Sequence, residues 1–188
     1  MFSKIFPKIH AEGYKFLVIA IIITILFYIF SDFLGLIGLV LSVWVYYFFR
    51  DPERVVINDD NFLVSPADGE VIKVEDVTGP KELGLENKNF KKISIFMNVF
   101  DCHVNRTPCT GKIEEIFYKP GKFLNASFDK ASEENERNYY KIKDLHNNDI
   151  VVVQIAGLVA RRIVCESNKD QELNQGDRIG MIRFGSRA

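Results

Sequence analysis

Charged residues are nearly absent from one long stretch of this 188-residue chain. Between Phe16 and Phe49 the single charged side chain is that of Asp32. Two apolar runs, Phe16–Phe30 and Phe33–Phe49, lie on either side of it, and each spans roughly 22–26 Å as a helix at ~1.5 Å per residue. Such runs are typical of two short membrane spans or of a re-entrant hairpin with its tip at Asp32. The alternatives are a signal peptide and a helix pair buried in a soluble core.

Basic residues flank both outer ends of this apolar region: Lys4, Lys8 and Lys15 precede it, and Arg50 and Arg54 follow it. Positive flanks favour the cytoplasmic side, so residues 1–50 are expected to form a membrane hairpin with both ends in the cytoplasm. A signal peptide is disfavoured because no small-residue cleavage site follows the first run. A soluble helix pair is disfavoured because neither run has a polar stripe. Residues 51–188 are then expected on the cytoplasmic face of the cell membrane.

Positive charge in excess is also lacking, since the net charge is −1. No basic face interleaved with aromatic residues is present, so we expect no nucleic-acid partner. Cysteine is scarce: Cys102, Cys109 and Cys165 are odd in number and lack the paired spacing of zinc sites. They are expected to be reduced thiols in a cytosolic compartment. Joint metal ligation by Cys102 and His103 is the alternative, but we expect no metal site.

Short runs of β-branched and aromatic residues, separated by Gly, Pro, Asn or Asp, dominate residues 51–188. Only Asp129–Arg137 has helical character. The predicted fold is therefore mostly β, a sandwich or barrel with lipoyl-like elements and long functional loops, preceded by the N-terminal apolar helical hairpin. The predicted strands are Gly69–Val74, Lys92–Met97, Lys112–Tyr118, Tyr139–Lys143, Ile150–Ile155, Arg162–Cys165 and Arg178–Phe184.

Four segments of this region have unusual chemical content, although each is also compatible with an ordinary turn or a solvated loop. Ser65–Gly69 places Asp68 in a turn set by proline and glycine. Asn98–Pro108 carries a histidine, an asparagine and an arginine within four residues. The other two segments are the charged stretch from Lys119 to Asn138 and the stretch Gln154–Arg162, whose two arginines have the chemistry to bind a phosphate.

The pair Gly185-Ser186 closes the last predicted strand. Such a pair is either a terminal turn or a site of self-cleavage. In the second case, Ser186 attacks the carbonyl of Gly185, the acyl group shifts from nitrogen to oxygen, and β-elimination followed by hydrolysis leaves a pyruvoyl group. A pyruvoyl carbonyl captures a substrate amine as a Schiff base and supplies the electron sink that decarboxylation of an amino acid requires.

These segments, in this order behind an apolar hairpin, resemble the short, membrane-associated form of phosphatidylserine decarboxylase. The resemblance covers nearly the whole chain and is carried by PADG, FDCHVNRTPCTG, YKPGKFLNASFDKASEENERN, QIAGLVARRI and GDRIGMIRFGSR. It implies a lyase made as a proenzyme that cleaves itself between Gly185 and Ser186. The covalent pyruvoyl cofactor from Ser186 would then convert phosphatidylserine to phosphatidylethanolamine. The implied partners are the phospholipid, the membrane and the C-terminal product chain, while a homo-oligomer is left open.

The resemblance also implies residue roles. Asp68 matches the aspartate that assists serine attack together with a histidine. His103 is the candidate acid that protonates the α-carbon after CO₂ leaves, because histidine titrates near working pH. The expected contacts of the substrate phosphodiester or carboxylate are Asn105, Arg106, Lys122 and Arg137. The hairpin is expected to keep the active-site mouth at the lipid interface.

This sequence departs from the family pattern in two places. Longer members have a second histidine where this chain has Arg106. Either His103 serves both cleavage and turnover, or cleavage relies on strain and Asp68. Members also continue for some tens of residues after the serine, whereas this sequence ends at Ala188, which is typical of a truncated proenzyme or a gene fragment.

Two other classes share parts of the pattern. A membrane-anchored lipoyl-like adaptor also uses SPADGEV and GDRIG turns, but such adaptors usually bring a long heptad hairpin, and none is present here. A phosphocarrier domain shares the Ser-Pro-x-x-Gly turn and uses a phosphorylated histidine. Phosphate on His103, rather than a carbonyl at Ser186, would distinguish that class.

Overall fold

A computed structural model of the chain describes residues 6–57, 59–124, 134–158, 162–183 and 186–188. The chain divides into two compact units, Met1–Arg54 and Val55–Ala188. Within the described residues the first unit is helical and the second is built from β-strands.

The first unit is a pair of helices, α1 (Tyr14–Phe30) and α2 (Asp32–Phe48). The chain reverses at Ser31, which adopts an extended conformation between them. The Asp32 carboxylate lies in the first turn of α2, where it interacts favourably with the positive end of the helix dipole. The helices contact each other through small polar side chains, because the Thr24 and Ser42 hydroxyl oxygens are 2.9 Å apart. Such contacts are typical of helices that pack in lipid.

Backbone hydrogen bonds close the open end of this hairpin. The His10 N–H donates to the Phe49 carbonyl at 2.8 Å, and the Asp51 N–H donates to the Lys8 carbonyl at 2.7 Å. The chain therefore enters and leaves the helix pair at the same end. This agrees with the hairpin predicted from the two apolar runs.

One helical segment in the described part of the chain is long and apolar enough to cross a membrane. It covers Ala11–Phe30, has a mean hydropathy of 2.3 and is 11% buried. The second helix is apolar but, at 17 residues, shorter. Signal sequences and core helices can have a similar length and composition. The exposed apolar surface of this segment nevertheless suggests membrane association.

The second unit contains two antiparallel sheets. The larger has the strand order β1-β2-β10-β6-β5-β4-β8, the smaller has the order β3-β9-β7, and neither is closed into a barrel within the described residues. The strands are β1 (Glu70–Thr78), β2 (Asn89–Met97), β3 (Val104–Arg106), β4 (Gly111–Lys119), β5 (Arg137–Asp144), β6 (Asp149–Ile155), β7 (Arg162–Cys165), β8 (Glu172–Leu173), β9 (Arg178–Arg183) and β10 (Ser186–Arg187).

The core lies mainly between the two sheets. Tyr140 and Val152 of the larger sheet pack in one cluster with Ile179 of β9. Their neighbours Tyr139 and Val151 point to the opposite face, because successive side chains of a strand alternate. That second face packs against the short segment that contains Leu83 and Leu85.

The predicted mostly β fold with an N-terminal apolar helical region is confirmed, and each of the seven predicted strands is present. Arg162–Cys165 has the predicted bounds, whereas the other six have shifted ends. The sheets form open layers, so the barrel version of the prediction is wrong. Sequence reasoning missed β3, β8 and β10, which have only two or three residues each. The helical prediction for Asp129–Arg137 lies mostly outside the described residues. It is wrong at Arg137, which begins β5 because it pairs with Ile155.

A buried carboxylate at the start of β6 ties strands together. Asp149 accepts hydrogen bonds from the ammonium groups of Lys88 and of Lys143, the latter at 2.8 Å. Only 4% of the Asp149 side chain is exposed. The hydrogen bonds from Lys143 and Lys88 lower the pKa of Asp149 to about 2. The folded state therefore binds this proton less readily than the unfolded chain.

Replacing Asp149 with asparagine should lower the free energy of unfolding by roughly 2 kcal/mol at pH 7. Since the folded pKa is below the unfolded value of 3.8, the stabilisation is present above that value and is lost as pH falls towards 2. Urea unfolding of the detergent-solubilised protein at several pH values measures this. The matched control is Asp76→Asn, because Asp76 lies 3.9 Å from Lys91 with 84% of its side chain exposed and should contribute little. Equal stability of the two variants at pH 7 would contradict the prediction.

Candidate active site

Ser186 lies in the interior of the larger sheet. Strand β10 is inserted between β2 and β6, with Ser186 opposite Met97 and Arg187 opposite Ile155. The side chain of Ser186 is fully buried, and its hydroxyl oxygen lies 4.0 Å from the Met97 sulfur. Residue Gly185, the predicted partner in cleavage, lies outside the described residues. The hydroxyl is thus held in a water-poor environment by strands on both sides.

A small apolar cluster contains Met97, whose sulfur Ser186 contacts. Met97, Ala156 and Ile182 pack together with Ala67, which belongs to the PADG segment. Phe123 packs against the same cluster. The cluster therefore gathers residues from four of the five motifs that carry the resemblance, although these motifs are far apart along the chain.

The turn that carries Asp68 is fastened against β2 and β3. The Pro66 carbonyl accepts a hydrogen bond from the Arg106 backbone N–H at 2.9 Å. Gly69 has φ +142°, and a Cβ at that position would overlap the Phe96 carbonyl oxygen. Glycine is required there because the turn lies directly on the strand that pairs with Ser186. Asp68 consequently lies between Pro66 and Gly69, whose positions these contacts fix.

His103 is fully buried immediately before β3. Its Nδ1 lies 3.0 Å from the Asp101 carbonyl oxygen. A carbonyl oxygen can only accept, so Nδ1 carries the hydrogen and the neutral ring has its lone pair on Nε2. The His103 carbonyl also accepts from the Ile182 N–H at 3.2 Å. The histidine is therefore attached to the end of β9, the strand that leads towards Ser186.

A buried chain of polar side chains lies on the same sheet face. The Gln154 amide donates through Nε2 to Asn105 Oδ1 at 2.9 Å, and Gln154 Oε1 lies 2.9 Å from the Tyr140 hydroxyl. Asn105 Nδ2 in turn lies 3.7 Å from the Met97 sulfur and 3.5 Å from the Pro66 carbonyl oxygen. Asn105, Gln154 and Tyr140 are all fully buried. Asn105 and Ser186 thus contact the same sulfur atom.

The other predicted substrate contacts are placed differently. Arg106 donates through Nη1 to the Gly176 carbonyl at 2.8 Å. Lys122 is 70% exposed in its side chain and forms an ion pair with Glu134 at 2.8 Å. It immediately precedes Phe123 of the apolar cluster. Of Arg106 and Lys122, it is therefore Lys122 that adjoins a residue of the apolar cluster along the chain.

Arg137 is in register with Ile155, which is itself in register with Arg187. Cross-strand neighbours point to the same face of a sheet, and successive residues alternate. The Arg137 side chain therefore leaves the sheet on the face opposite that of Ser186. Its guanidinium lies 5.8 Å from the centre of the Tyr139 ring.

The three cysteines form no disulfide with one another, and Cys102 and Cys109 are buried whereas Cys165 is exposed. Burial raises the pKa of the Cys109 thiol to about 11, so this thiol stays protonated at neutral pH. No group of three or more potential ligands is close enough to hold a metal ion within the part of the chain that the structure describes.

In a comparison with known protein families, residues 41–188 match the phosphatidylserine decarboxylase family. The chain belongs to the phosphatidylserine decarboxylase family. Three relatives bear the name phosphatidylserine decarboxylase proenzyme. The relative from Pelagibacter ubique (strain HTCC1062) is 78% identical over 188 residues, which is 100% of this chain and 87% of that protein. The relative from Ruegeria pomeroyi is 53% identical over 95% of this chain and 81% of that protein, and the one from Cereibacter sphaeroides is 50% identical over 100% and 81%.

The resemblance inferred from the motifs is thus confirmed at the level of the family. In this member of the phosphatidylserine decarboxylase family, the structure gathers Ser186, Met97 and Asn105 directly, and ties the segments of Asp68 and His103 to them through backbone contacts. Sequence reasoning did not identify Gln154, Tyr140 or Met97. A signal was available for two of them, because Tyr140 and Gln154 have polar groups within otherwise apolar strands.

Proposed function

We propose that this chain is a self-processing proenzyme that decarboxylates phosphatidylserine to phosphatidylethanolamine, using a pyruvoyl group made from Ser186. The observation that carries the proposal is the place of Ser186. In a member of the phosphatidylserine decarboxylase family, this residue has a fully buried hydroxyl in a strand paired on both sides. Among the described residues, the hydrogen-bond contact of this buried hydroxyl is the long one to the Met97 sulfur, and such a weakly stabilised buried hydroxyl supports a reactive role.

The proposed cleavage begins with the Ser186 hydroxyl. Its oxygen bonds to the carbonyl carbon of Gly185, the π pair moves to the carbonyl oxygen, and the hydroxyl proton passes to a base. The carbon–nitrogen bond then breaks, and the nitrogen takes a proton, which leaves an ester. Loss of the α-proton of Ser186 expels the Gly185 carboxylate, and water replaces the nitrogen as ammonia. The products are a carboxylate at Gly185 and a pyruvoyl group at residue 186.

His103 and Asp68 are the proposed proton carriers. The bond from Nδ1 to the Asp101 carbonyl leaves a basic lone pair on Nε2, as a base for serine requires. The fastening of the Asp68 turn to β2 supports a positioned carboxylate beside the strand that pairs with Ser186. In turnover, the protonated imidazole of His103 is the proposed donor to the α-carbon.

The residues around Ser186 fit a pyruvoyl group. The flat three-carbon group needs no more room than serine, and the small side chains of Ala67 and Ala156 belong to the same apolar cluster as Met97. Asn105 supplies amide hydrogens on the Met97 side. Once formed, the pyruvoyl carbonyl supplies the electron sink for the loss of CO₂.

Asn105 and Lys122 are the substrate contacts that the geometry supports best. Asn105 shares Met97 with Ser186, and Lys122 lies next to Phe123 of the apolar cluster. Arg106 and Arg137 are proposed on the resemblance alone, since Arg106 donates to a backbone carbonyl and Arg137 leaves the sheet on the other face.

The proposal is tested by the intact mass of the protein expressed with its natural downstream sequence. Two chains are expected, separated between Gly185 and Ser186, and the smaller chain should begin with a carbonyl group that borohydride reduces. Release of CO₂ from carboxyl-labelled phosphatidylserine by the same preparation completes the test. An uncut protein that releases CO₂, or a cut one with a free N-terminal serine, would contradict the mechanism.

For the membrane, we propose that residues 16–49 anchor the protein and that both termini face the cytoplasm. The two apolar helices and the basic flanks support this. Protease added to intact spheroplasts should leave the β-rich unit whole, whereas protease added to inverted vesicles should digest it. A variant that lacks residues 16–49 is the control and should be recovered largely in the soluble fraction. Digestion from outside intact spheroplasts would overturn the topology.

A further inference from the structure

We propose that Gln154 is a positioning residue for self-cleavage, which holds the Asn105 amide with its N–H donors turned towards Ser186. This inference rests on the proposed cleavage at Ser186. It concerns residues of the uncut chain, so it is tested by chain cleavage and not by decarboxylation.

The orientation of the two amides is fixed by hydrogen-bond polarity. The Asn138 amide nitrogen lies 3.4 Å from Gln154 Oε1 and can only donate. The Tyr140 hydroxyl, which has a single hydrogen to donate, lies 2.9 Å from both Gln154 Oε1 and the Ile179 carbonyl oxygen. With its oxygen facing the Asn138 amide nitrogen, Gln154 presents Nε2 to Asn105. Asn105 therefore presents Oδ1 to Gln154 and turns Nδ2 away from it.

The Asn105 donors point to the side on which Ser186 lies. Asn105 Nδ2 is 3.7 Å from the Met97 sulfur, and the Ser186 oxygen is 4.0 Å from the same atom. The described acceptors of this amide are the sulfur and the Pro66 carbonyl at 3.5 Å, and both contacts are long. A buried amide with weak acceptors is well suited to stabilise negative charge that develops on an oxygen nearby.

The backbone of β9 packs closely against this chain of polar side chains. Gly180 of β9 pairs with Asn105 and has φ +156°. A Cβ at that position would lie 3.2 Å from both Gln154 Nε2 and the Tyr140 oxygen, and it would overlap the Val164 carbonyl. The backbone of the smaller sheet at Gly180 therefore lies directly against Gln154 and Tyr140.

The test uses Gln154→Glu, which keeps the size of the side chain but reverses its hydrogen-bond polarity. The ionised carboxylate of this variant can only accept, so Asn105 must turn its N–H donors to the carboxylate and its oxygen towards Ser186. The full-length precursor is made by pulse-labelled cell-free translation into liposomes, and chain cleavage is followed on gels at pH 5.5 to 8.5. At pH 8 we expect cleavage about 10-fold or more slower than in the wild type, since removal of a donor to an oxyanion is worth ~10²–10³-fold when it acts directly.

Lower pH should reverse the defect of Gln154→Glu. Once protonated, the introduced carboxyl donates to Asn105 Oδ1 again, and burial raises the pKa of such a carboxyl towards neutrality. The ratio of variant to wild-type rate should therefore rise towards 1 at pH 5.5. Dividing the variant rate by the wild-type rate at each pH cancels the pH dependence that both proteins share, including any from His103. Burial raises the pKa of Tyr140 well above its usual value, so the phenol stays protonated across this range. Asn105→Leu has no donor at any pH and should stay slow throughout.

Gln175→Glu is the matched control for burying a carboxyl. Gln175 is 5% exposed, and its Nε2 donates to the Phe62 and Pro108 carbonyls at 2.6 and 3.2 Å. Rates are expressed per molecule of protease-resistant precursor, and this variant should then cleave as the wild type does. Wild-type cleavage by Gln154→Glu at pH 8, or an equal pH-dependent recovery in Gln175→Glu, would overturn the positioning role. Absence of cleavage in the wild type would overturn the proposed function and this inference with it.

Discussion

Replacing Ser186 with alanine in the full-length precursor should leave a single chain with no decarboxylase activity. The hydroxyl oxygen is the nucleophile of the proposed cleavage, and its carbon skeleton becomes the carbonyl cofactor. Alanine provides neither. The loss should be complete within the limit of the assay, because without the carbonyl no electron sink exists for the carbanion. Chain cleavage on gels and release of CO₂ from labelled phosphatidylserine measure the two consequences separately.

Ser94→Ala is the control for this prediction. Ser94 is a serine of β2 that is also buried, at 4% exposure, and it faces Lys73 of β1. Its replacement should leave both cleavage and activity near wild-type levels. Decarboxylation by an uncut Ser186→Ala protein would show that the cofactor comes from another residue. Wild-type activity that survives carbonyl reduction would show that no carbonyl cofactor is used.

The strands could be predicted because their burial is reflected in their composition. Strands β5, β6 and β9 contain apolar residues on the faces that meet the core, and turn residues separate them. The two-residue strand β10 could not be predicted, since its existence depends on pairing with β2 and β6, which are distant in sequence. Whether the layers close into a barrel also depends on such pairing, and a local pattern does not reveal it.

The candidate site was only partly accessible from sequence. Asp68, His103 and Ser186 stood out because their residue types carry chemistry in short motifs. Gln154 did not, because its importance arises from the contact with Asn105, 49 positions earlier in the chain. For Arg137 the substrate contact stays a prediction, and the strand register places its side chain on the sheet face opposite that of Ser186. Side-chain direction in a sheet follows from register, which motif reading cannot supply.

The absence of a second histidine at position 106 gives His103 two proposed tasks. Its ring is fully buried, and the Nδ1 contact with the Asp101 carbonyl at 3.0 Å fixes the tautomer that presents Nε2 as the base. The attachment of its carbonyl to the Ile182 N–H places it beside the strand that leads to Ser186. The same imidazole is therefore the proposed acceptor of the serine proton in the precursor and the proposed proton donor in the mature enzyme.

Replacing His103 with alanine should slow turnover by about 10²–10⁴-fold, the usual contribution of a positioned acid or base. His103→Asn is the sharper variant, because its amide can still donate to the Asp101 carbonyl but cannot titrate. Both variants should be defective, and a dual role predicts slow cleavage as well as slow turnover. Chain cleavage and CO₂ release per cleaved molecule are measured for each in the full-length protein. A defect in turnover alone would assign the cleavage to strain and Asp68.

Two further variants complete this test. His146→Ala is the control, because His146 lies in an exposed turn between β5 and β6 and should leave both rates unchanged. Arg106→Ala should still cleave while requiring more substrate, since its proposed role is to hold an anionic headgroup. If Arg106→Ala folds but stays uncut, Arg106 takes part in maturation. It would then act at the position that the second histidine has in longer members. Normal cleavage and turnover in His103→Asn would show that the histidine has a structural role. This variant keeps a donor to the Asp101 carbonyl and loses the titratable nitrogen, so that nitrogen would not be needed.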